Sequence, residues 1–383
     1  MKIVRVDTLQ SSPESRIHYG KIGWTWIRIH TDEEVVGTGE TFPVPESEIA
    51  VIHKSFASCL LGQNPLEIER LWRDMFNVVQ YHGWAGAEMR AISAIDIALW
   101  DILGKTANLP IYQLLGGKVR DRIRTYNTCY DDDIDFNIDA GKLAEMLCKR
   151  GIRGMKIWPF DDVAIENQGN FITRSQMDRS LEPLRQIRAA VGNDMDIMME
   201  FHGHWNLTCA IQIANALEPF EVAWLEEMIP QDNLDAYRVL RSRVKQPLTI
   251  SERLFGKWSY ADLMKKDVAS YVMTDLAWCG GLTEGRKIAV LADSQYLPIA
   301  LHNCSGPILH AANLHLAAHI PNLYILESIR RHYEKEFPPI VAASSPPNSD
   351  GCFAVPVGPG LGVELKPEFI ETAQVLSSSV MED

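Results

Sequence analysis

The pattern of hydrophobic and polar positions changes its period near residue 120. Residues 1–40 alternate between apolar and polar positions, which predicts β-strands joined by turns. Residues 47–118 follow a helical period, and the stretch 91–103 is apolar almost all round, which predicts a buried helix. Gly116 and Gly117 end this part of the chain. The first third of the chain therefore predicts a mixed α+β unit.

From residue 122 onward, short apolar runs alternate with helical patterns at a spacing typical of a parallel β/α barrel. A longer interval between the second and third runs predicts an inserted loop near 164–173. Residues 343–362 are rich in Ser, Pro and Gly and predict an extended crossing segment. The eight predicted strands are 122–127, 153–158, 195–200, 222–226, 247–252, 270–275, 297–302 and 323–327.

Three of these predicted strands end in a glutamate. Glu200, Glu226 and Glu252 are separated by equal intervals of 26 residues (226 − 200 and 252 − 226). Because the carboxyl ends of barrel strands face the mouth of the barrel, we expect the three carboxylates to converge there. Converging carboxylates repel one another unless a cation lies between them. Ligands that are all oxygen suit a hard divalent ion, Mg²⁺ first.

The other strand ends carry further ionisable side chains. The second predicted strand supplies Lys156 and then Trp158, the sixth Asp275, the seventh His302 and the eighth Glu327. One such residue alone would be interpreted as a solvated charge. Acidic or imidazole groups at six successive strand ends instead indicate an active site, because barrel enzymes build their chemistry at this face.

Composition and charge narrow the class of protein. The formal net charge of −13 argues against nucleic acid or an anionic membrane as a partner. No apolar run reaches the roughly 18 residues that a membrane span needs, and the first residues lack the apolar core of a signal peptide. Seven cysteines without paired spacing predict reduced thiols. We therefore expect a cytoplasmic protein with a small-molecule substrate.

The chain carries a set of short motifs at characteristic places. They are 94–101 (AIDIALWD), 110–117 (PIYQLLGG), 224–227 (WLEE), 251–253 (SER), 280–284 (GGLTE) and 359–363 (PGLGV). Together, in this order and spacing, they resemble the enolase superfamily, in its mandelate racemase-like branch, and the resemblance spans nearly the whole chain. It implies a modified (β/α)₇β barrel in residues 121–342 and an α+β capping domain in residues 1–120, to which residues 343–383 return.

The resemblance also implies a site. The three evenly spaced glutamates would be Mg²⁺ ligands, Asp275 and His302 a hydrogen-bonded dyad, and Glu327 a neighbour of the substrate carboxylate. The family reaction removes a proton α to a carboxylate, with a divalent metal and a Lys or His base. Asp275 is expected to fix the tautomer of His302, so that the imidazole accepts the proton near neutral pH.

One departure from the family pattern lies on the second strand. Racemases and cycloisomerases of the family usually carry Lys-x-Lys there, with the second lysine as a base on the opposite face. Lys156 fills the first slot, where its ammonium can stabilise a substrate carboxylate, and Trp158 fills the second. Because an indole cannot move a proton, a site with one base is expected, which disfavours racemisation and fits dehydration.

A second departure supplies an acid. Glu200-Phe201-His202 resembles the carboxylate-x-His of galactonate-type and mannonate-type dehydratases, in which the histidine protonates the departing 3-hydroxyl. His202 would then be the acid and His302 the base, on opposite faces, giving a 2-keto-3-deoxy acid. His204 and His302 itself remain alternative acids. The family more often has Asp than Glu at the first ligand, so Glu200 is a further departure.

Other residues are candidates for contact with the substrate. Segments 14–23 and 81–84 fall where the capping loops of the family cover the substrate, although packing is an equal alternative for Trp84. Asp161 and Asp162 flank the end of the second strand and face either substrate or solvent. Glu227 is expected beside the ligands or at a helix start. The substrate-contact candidates are Trp158, Asn303, Trp84 and His82.

The leading hypothesis is a Mg²⁺-dependent acid-sugar dehydratase. The alternative is a single-base epimerase or cycloisomerase of the same superfamily. A third hypothesis is a non-catalytic barrel that binds a sugar acid, but such a protein has no need of both the dyad and three metal ligands. The resemblance further implies an even-numbered homo-oligomer. The identity of the sugar acid does not follow from the sequence.

Overall fold

The computed structural model describes residues 1–11, 23–130, 133–343 and 346–380. Of the predicted capping segment 14–23, all but residue 23 lies outside the described residues. The strands within these ranges are β1 (Ile3–Gln10), β2 (Thr25–Thr31), β3 (Val36–Thr41), β4 (Arg122–Thr128), β5 (Gly154–Ile157), β6 (Asp196–Glu200), β7 (Trp224–Glu226), β8 (Leu248–Ile250), β9 (Tyr271–Thr274), β10 (Ile299–Leu301), β11 (Leu323–Ser328), β12 (Cys352–Ala354) and β13 (Gln374–Ser379).

The α-helices separate these strands and pack outside them. In the described ranges they are α1 (Pro45–Val51), α2 (Ala57–Leu60), α3 (Ile68–Val79), α4 (Ala87–Ala107), α5 (Ile111–Leu115), α6 (Phe136–Lys149), α7 (Asp161–Glu166), α8 (Arg174–Ser180), α9 (Glu182–Val191), α10 (Leu207–Leu217), α11 (Leu234–Arg241), α12 (Gly256–Lys265), α13 (Gly281–Asp293), α14 (Pro307–His319) and α15 (Pro367–Thr372). None of the described helices is long and apolar enough to cross a membrane.

The capping domain is built on an antiparallel sheet in the order β13-β1-β2-β3. The C-terminal strand thus pairs with the first strand of the chain. Helix α4 lies directly on β3 at Gly37 and Gly39, where an added Cβ would stand 2.1 Å and 1.9 Å from helix carbonyl oxygens. Only glycine allows this approach. Asp101 of α4 accepts backbone N–H groups from Thr38 and Leu361, both at 2.9 Å, which ties sheet, helix and C-terminal segment together.

Strands β4 to β11 form the predicted barrel. Neighbouring strands pair in parallel, and β11 pairs with β4 to close the ring. Short strand β12 adds antiparallel to the first half of β4. All eight predicted strands occur, so the predicted fold class, a (β/α)₇β barrel with an α+β capping domain, is confirmed. The domain boundaries at residues 120 and 342 remain a prediction.

The barrel interior explains why the strand-end residues point where they do. Side chains alternate along a strand, so residues two apart share a face. Buried side chains from six strands fill the interior one level below the mouth, and each precedes a mouth residue by two positions. They are Tyr126, Met198, Trp224, Met273, Ala300 and Ile325, below Thr128, Glu200, Glu226, Asp275, His302 and Glu327.

The residues between β5 and β6 form helices α7, α8 and α9. Because α7 extends to Glu166, the prediction of an inserted loop over 164–173 was wrong for its first part. Helix α8 begins with a capping box. Thr173 Oγ1 accepts the Gln176 N–H at 3.2 Å, and the Gln176 side-chain oxygen accepts the Thr173 N–H at 2.9 Å. This reciprocal pair satisfies two backbone donors and fixes the helix start.

Candidate active site

A cavity of about 920 Å³ lies between the carboxyl ends of the barrel strands and the capping domain. Its floor carries ionisable side chains from the strand ends. Its walls are mainly aromatic and come from β2, the strand-end loops and α15, the last including Phe369. Among the predicted site residues, the ones that line it are Lys156, Trp158, Glu200, His202, Glu252 and His302.

Lys156 is the central cation of the floor. Its Nζ lies 2.7 Å from Glu226 Oε1, 2.9 Å from Glu327 Oε1 and 3.5 Å from Glu200 Oε2. Burial lowers the pKa of Lys156, but the charges of Glu226 and Glu327 outweigh burial and hold that pKa well above its usual value. The ammonium therefore remains charged and can pair with a substrate carboxylate at the cavity surface.

The first two predicted metal ligands already accept hydrogen bonds from neighbouring groups. Glu200 Oε1 accepts the backbone N–H groups of Phe201 at 3.0 Å and His202 at 2.7 Å. Burial opposes ionisation of Glu200, yet the charges of His202 and Lys156 lower its pKa below the usual range. Glu226 Oε2 accepts the Trp224 indole N–H at 2.8 Å. Burial and the neighbouring Glu200 raise the pKa of Glu226 well above its ordinary value.

The third predicted ligand has spare capacity. Glu252 Oε1 accepts from Arg253 Nε at 3.2 Å, whereas Glu252 Oε2 is buried without a hydrogen-bond partner in the described part of the chain. Both oxygens of the neighbouring Glu227 are likewise unpartnered. Unsatisfied buried carboxylate oxygens next to two further carboxylates form an oxygen-only donor set, which fits a hard divalent cation. In the structure, Lys156 and Arg253 balance part of this charge.

Two other groups of side chains offer ligand atoms within 4.8 Å of one another in the described residues. One is Asp161, His202 and His204, and the other is His302, Cys304 and Glu327. The three predicted glutamates do not converge this closely, since Lys156 lies against Glu226 and Glu200 while Glu252 turns to Arg253.

His302 and Asp275 form the predicted hydrogen-bonded pair. Asp275 Oδ2 lies 2.6 Å from His302 Nδ1, and Asp275 is fully buried. Burial lowers the pKa of His302, but Glu327, 3.4 Å from its Nε2, raises that pKa well above the usual value. This shift makes the imidazole at the end of β10 more basic than an ordinary histidine, and its Nε2 is the nitrogen that faces Glu327.

Glu327 joins this pair to Lys156. Its Oε1 accepts from the Thr128 hydroxyl, and its Oε2 accepts the Asn303 N–H at 2.9 Å. Burial raises the pKa of Glu327, but His302 and Lys156 outweigh burial and lower the pKa to about 2. Glu327 thus remains an anion, and its negative charge lies between the His302 imidazole and the Lys156 ammonium.

His202 lies across the mouth from His302. Strand β6 is the third and β10 the seventh of the eight barrel strands, so the two histidines follow opposite strands of the ring. His202 has a left-handed backbone (φ 49°), and its Nδ1 lies 2.5 Å from Asp161 Oδ2. Burial lowers the pKa of His202, whereas Glu200 and Asp161 raise it, with a net upward shift. The alternative acid, His204, is exposed.

Three predicted substrate contacts lie elsewhere. Asn303 is buried behind Glu327, with its amide 2.8 Å from His310 Nδ1, so it holds the floor from behind. Trp84 is half-buried and packs against Phe76 and Trp258, with ring centroids 5.8 Å and 6.1 Å away. His82 is exposed. None of the three is among the described residues that line the cavity.

Sequence reasoning missed several residues of the site. Arg253 lines the cavity and donates to Glu252 and, at 3.2 Å, to the His202 carbonyl. Its place beside a predicted ligand was the available signal. Cys304 Sγ lies 3.5 Å from His302 Nε2, and burial raises the pKa of this thiol to about 11. Helix α15 forms part of the cavity wall because the C-terminal segment folds back to the cavity, and no local sequence pattern predicts this contact.

Fold and site define a family, and comparisons with known proteins agree. Residues 139–369 match the enolase C-terminal domain-like family. Residues 14–116 match the N-terminal domain of the mandelate racemase / muconate lactonizing enzyme family. The chain belongs to the enolase superfamily, in this mandelate racemase-like branch, as the sequence motifs predicted.

The relatives within the family include characterised dehydratases. The chain is 30% identical to D-xylonate dehydratase of Haloferax volcanii, with 95% of this chain and 88% of that enzyme covered. It is 32% identical to D-galactonate dehydratase of Klebsiella pneumoniae, with 95% and 92% covered. A mandelate racemase subgroup enolase structure from Agrobacterium tumefaciens is 40% identical, covers 99% of both chains and has a TM-score of 0.91. The chain is therefore an enzyme, of the carbon–oxygen lyase class.

Proposed function

We propose that this enzyme is a Mg²⁺-dependent acid-sugar dehydratase that converts a sugar acid to its 2-keto-3-deoxy acid. The observation that carries the proposal is the pair of histidines after opposite strands of the barrel, His202 and His302, each hydrogen-bonded through Nδ1 to an aspartate. Two proton-carrying groups on opposite faces fit removal of the C2 proton on one face and departure of the 3-hydroxyl on the other.

The proposal gives each of the main residues of the site a definite role. The substrate carboxylate binds next to Lys156 and forms an ion pair with its ammonium group. His302 Nε2 takes the C2 proton, while Asp275 accepts the hydrogen bond from Nδ1–H and so keeps the ring in one orientation. His202 Nε2 gives a proton to the 3-hydroxyl, which leaves as water. The resulting enol then becomes the 2-keto acid. Because Trp158 occupies the position of the second lysine, His302 is the single base that can remove the C2 proton.

Glu200, Glu226 and Glu252 would hold Mg²⁺, with Glu227 beside them. When bound, the metal supplies Lewis-acid stabilisation of the negative charge that develops on the substrate carboxylate. The unpartnered oxygens of Glu252 and Glu227 support this assignment. Relatives named as dehydratases of D-xylonate and D-galactonate support the substrate class.

The aromatic walls of the cavity suit a sugar acid. Trp24, Trp26, Trp158 and Trp278 all line it, and indole faces pack against the C–H groups of a sugar chain while hydroxyl groups meet the polar floor. A cavity of about 920 Å³ is larger than a C5 or C6 acid requires.

The test is a screen of pentonates, hexonates and aldarates with saturating Mg²⁺, read out by semicarbazone formation from 2-keto acids. The wild-type enzyme should give a keto acid from at least one compound, and His302→Asn should give none. The absence of keto acid from every compound, combined with C2 deuterium exchange in D₂O, would instead establish the single-base epimerase or cycloisomerase.

A further inference from the structure

Asp161 has no role in the reaction described above, yet its contact with His202 is among the shortest in the site. Asp161 Oδ2 lies 2.5 Å from His202 Nδ1. Asp161 is 8% exposed and is absent from the described residues that line the cavity, whereas His202 lines it. The carboxylate therefore meets the substrate side of the site through the histidine alone.

The hydrogen bonding of the Asp161 side chain is directed to His202. Asp161 Oδ1 is buried and has no hydrogen-bond partner within the described ranges. No hydrogen-bond donor among the described residues therefore competes with the imidazole for this carboxylate. Here its side-chain hydrogen bonding goes to one nitrogen of one imidazole.

Packing beneath the pair fixes the distance between its members. Phe160 precedes Asp161 and Phe201 precedes His202; both rings are fully buried, with centroids 5.7 Å apart. The contact joins the loop after β5 to the loop after β6. On the His202 side, the backbone is held by its N–H on Glu200 Oε1 at 2.7 Å and by its carbonyl on Arg253 Nη2 at 3.2 Å.

We infer that Asp161 is a positioning residue that holds His202 with Nδ1–H on the carboxylate and Nε2 toward the substrate hydroxyl. This inference rests on the proposed dehydration. It makes the site a pair of His–Asp dyads, His302–Asp275 after the seventh strand and His202–Asp161 after the third. In both, the carboxylate binds Nδ1, and Nε2 remains as the nitrogen that handles the substrate proton.

The two dyads differ in one respect that makes the inference testable. Asp275 acts on the base, so its loss should affect C2 proton removal and every later step. Asp161 acts on the acid, so its loss should affect only departure of the 3-hydroxyl. The ratio of C2 deuterium exchange to keto-acid formation in D₂O separates these two cases.

The experiment compares Asp161→Asn and Asp161→Ala with Asp162→Asn, a matched change of the exposed neighbour in the same helical turn. Asp161→Ala should lower kcat for keto-acid formation by about 10- to 100-fold, with KM and C2 exchange within about threefold of the control. Asp161→Asn should lose less, because its amide oxygen still accepts Nδ1–H. The inference is overturned if keto-acid formation stays within twofold of the control, or if exchange falls in the same proportion.

A second measurement does not depend on turnover. In ¹⁵N-histidine NMR of the ligand-free enzyme, His202 should carry a proton on Nδ1 in the wild type and in Asp162→Asn, and lose it to Nε2 in Asp161→Ala. Identical His202 signals in all three proteins would overturn the inference. If the Nδ1 signal behaves as expected while the wild type makes no keto acid, the proposed function fails and the positioning role stands.

Discussion

Asp275 Oδ2 lies 2.6 Å from His302 Nδ1, and the second oxygen of Asp275 accepts the Ala277 N–H at 2.7 Å. With both oxygens engaged and the residue fully buried, the carboxylate cannot turn away from the imidazole. His302 is thereby held with one nitrogen committed to Asp275. The other nitrogen is left to exchange a proton with the substrate, which is what a base at the end of a barrel strand requires.

Replacing Asp275 by Asn should impair both halves of the reaction together. Because the Ala277 N–H holds the amide oxygen of this variant, its NH₂ group faces His302 Nδ1 and selects the wrong tautomer, which the unpartnered Oδ1 of Asp161 does not force on His202. C2 exchange and keto-acid formation should therefore both fall, by about 10²- to 10⁴-fold. Parallel NMR and keto-acid assays in D₂O measure the two rates, with Asp293→Asn, an exposed change on α13, as control. A variant that exchanged C2 normally while failing to form keto acid would show that His302 is not the base.

Lys156 is expected to be essential to the stability of the floor. Lys156→Met removes the cation between Glu226 and Glu327 at nearly constant volume, and leaves two buried carboxylates without their partner. Loss of one member of a buried ion pair destabilises by about 3–5 kcal/mol. Urea denaturation in EDTA-containing buffer measures this change.

The control for Lys156 is Lys245→Met, which breaks an exposed ion pair with Glu218 and should change the unfolding free energy by less than about 1 kcal/mol. Equal effects of the two substitutions would mean that the Lys156 network does not stabilise the floor.

Mg²⁺ should stabilise the folded enzyme through the strand-end glutamates. A ligand at 100 times its Kd adds about 2.7 kcal/mol to the unfolding free energy. Glu252→Gln removes a negative charge and a carboxylate ligand from the three glutamates. The Mg²⁺-dependent rise in Tm of this variant should therefore be less than half of the wild-type rise. Calorimetry with and without Mg²⁺ compares it with Glu145→Gln, an exposed change on α6. The same Mg²⁺ effect in both variants would place the metal elsewhere.

Acid should destabilise the fold through His315. Its Nδ1 lies 3.3 Å from the Tyr112 N–H and its Nε2 3.1 Å from the Leu361 carbonyl, so the ring is held neutral between a donor and an acceptor. Burial lowers the pKa of His315 to about 4 from an ordinary 6.5. Between these values the unfolded chain binds a proton that the folded chain excludes, so stability falls as pH is lowered from 6.5 to about 4.

The full effect of His315 is about 3 kcal/mol. Unfolding free energies from denaturation curves between pH 4.5 and 7.5 should depend less steeply on pH in His315→Gln than in the wild type. His82→Gln, at an exposed histidine, is the control. An unchanged slope in His315→Gln would show that this histidine is not the proton-excluding group.

The strand-end residues could be predicted because a strand has a period of two and a barrel presents its strand ends at one face. Lys156, Glu226, Asp275 and His302 follow directly from those two rules. Asp161 could not be assigned in the same way. It stands in the first turn of α7, and its contact with His202 depends on how Phe160 packs against Phe201.

The contacts of the capping domain with the cavity could not be predicted from the sequence. Trp84 and His82 were predicted to contact substrate from their position in the family pattern, but neither is among the described residues that line the cavity. Trp84 packs instead in the aromatic cluster with Phe76 and Trp258. Long-range packing decides which residues of the connection between α3 and α4, and of the returning C-terminal segment with Phe369, meet the cavity, and no local sequence period predicts it.

The central claim is that a base and a separate acid act from opposite strands of the barrel. The most direct measurement is ¹H NMR of His202→Asn with the substrate and Mg²⁺ in D₂O, which follows deuterium at C2 and keto acid in the same sample. We predict that C2 exchange continues through His302 while keto-acid formation falls by about 10²-fold or more. Keto acid formed at the wild-type rate would contradict the claim and assign the acid role to His302 or His204.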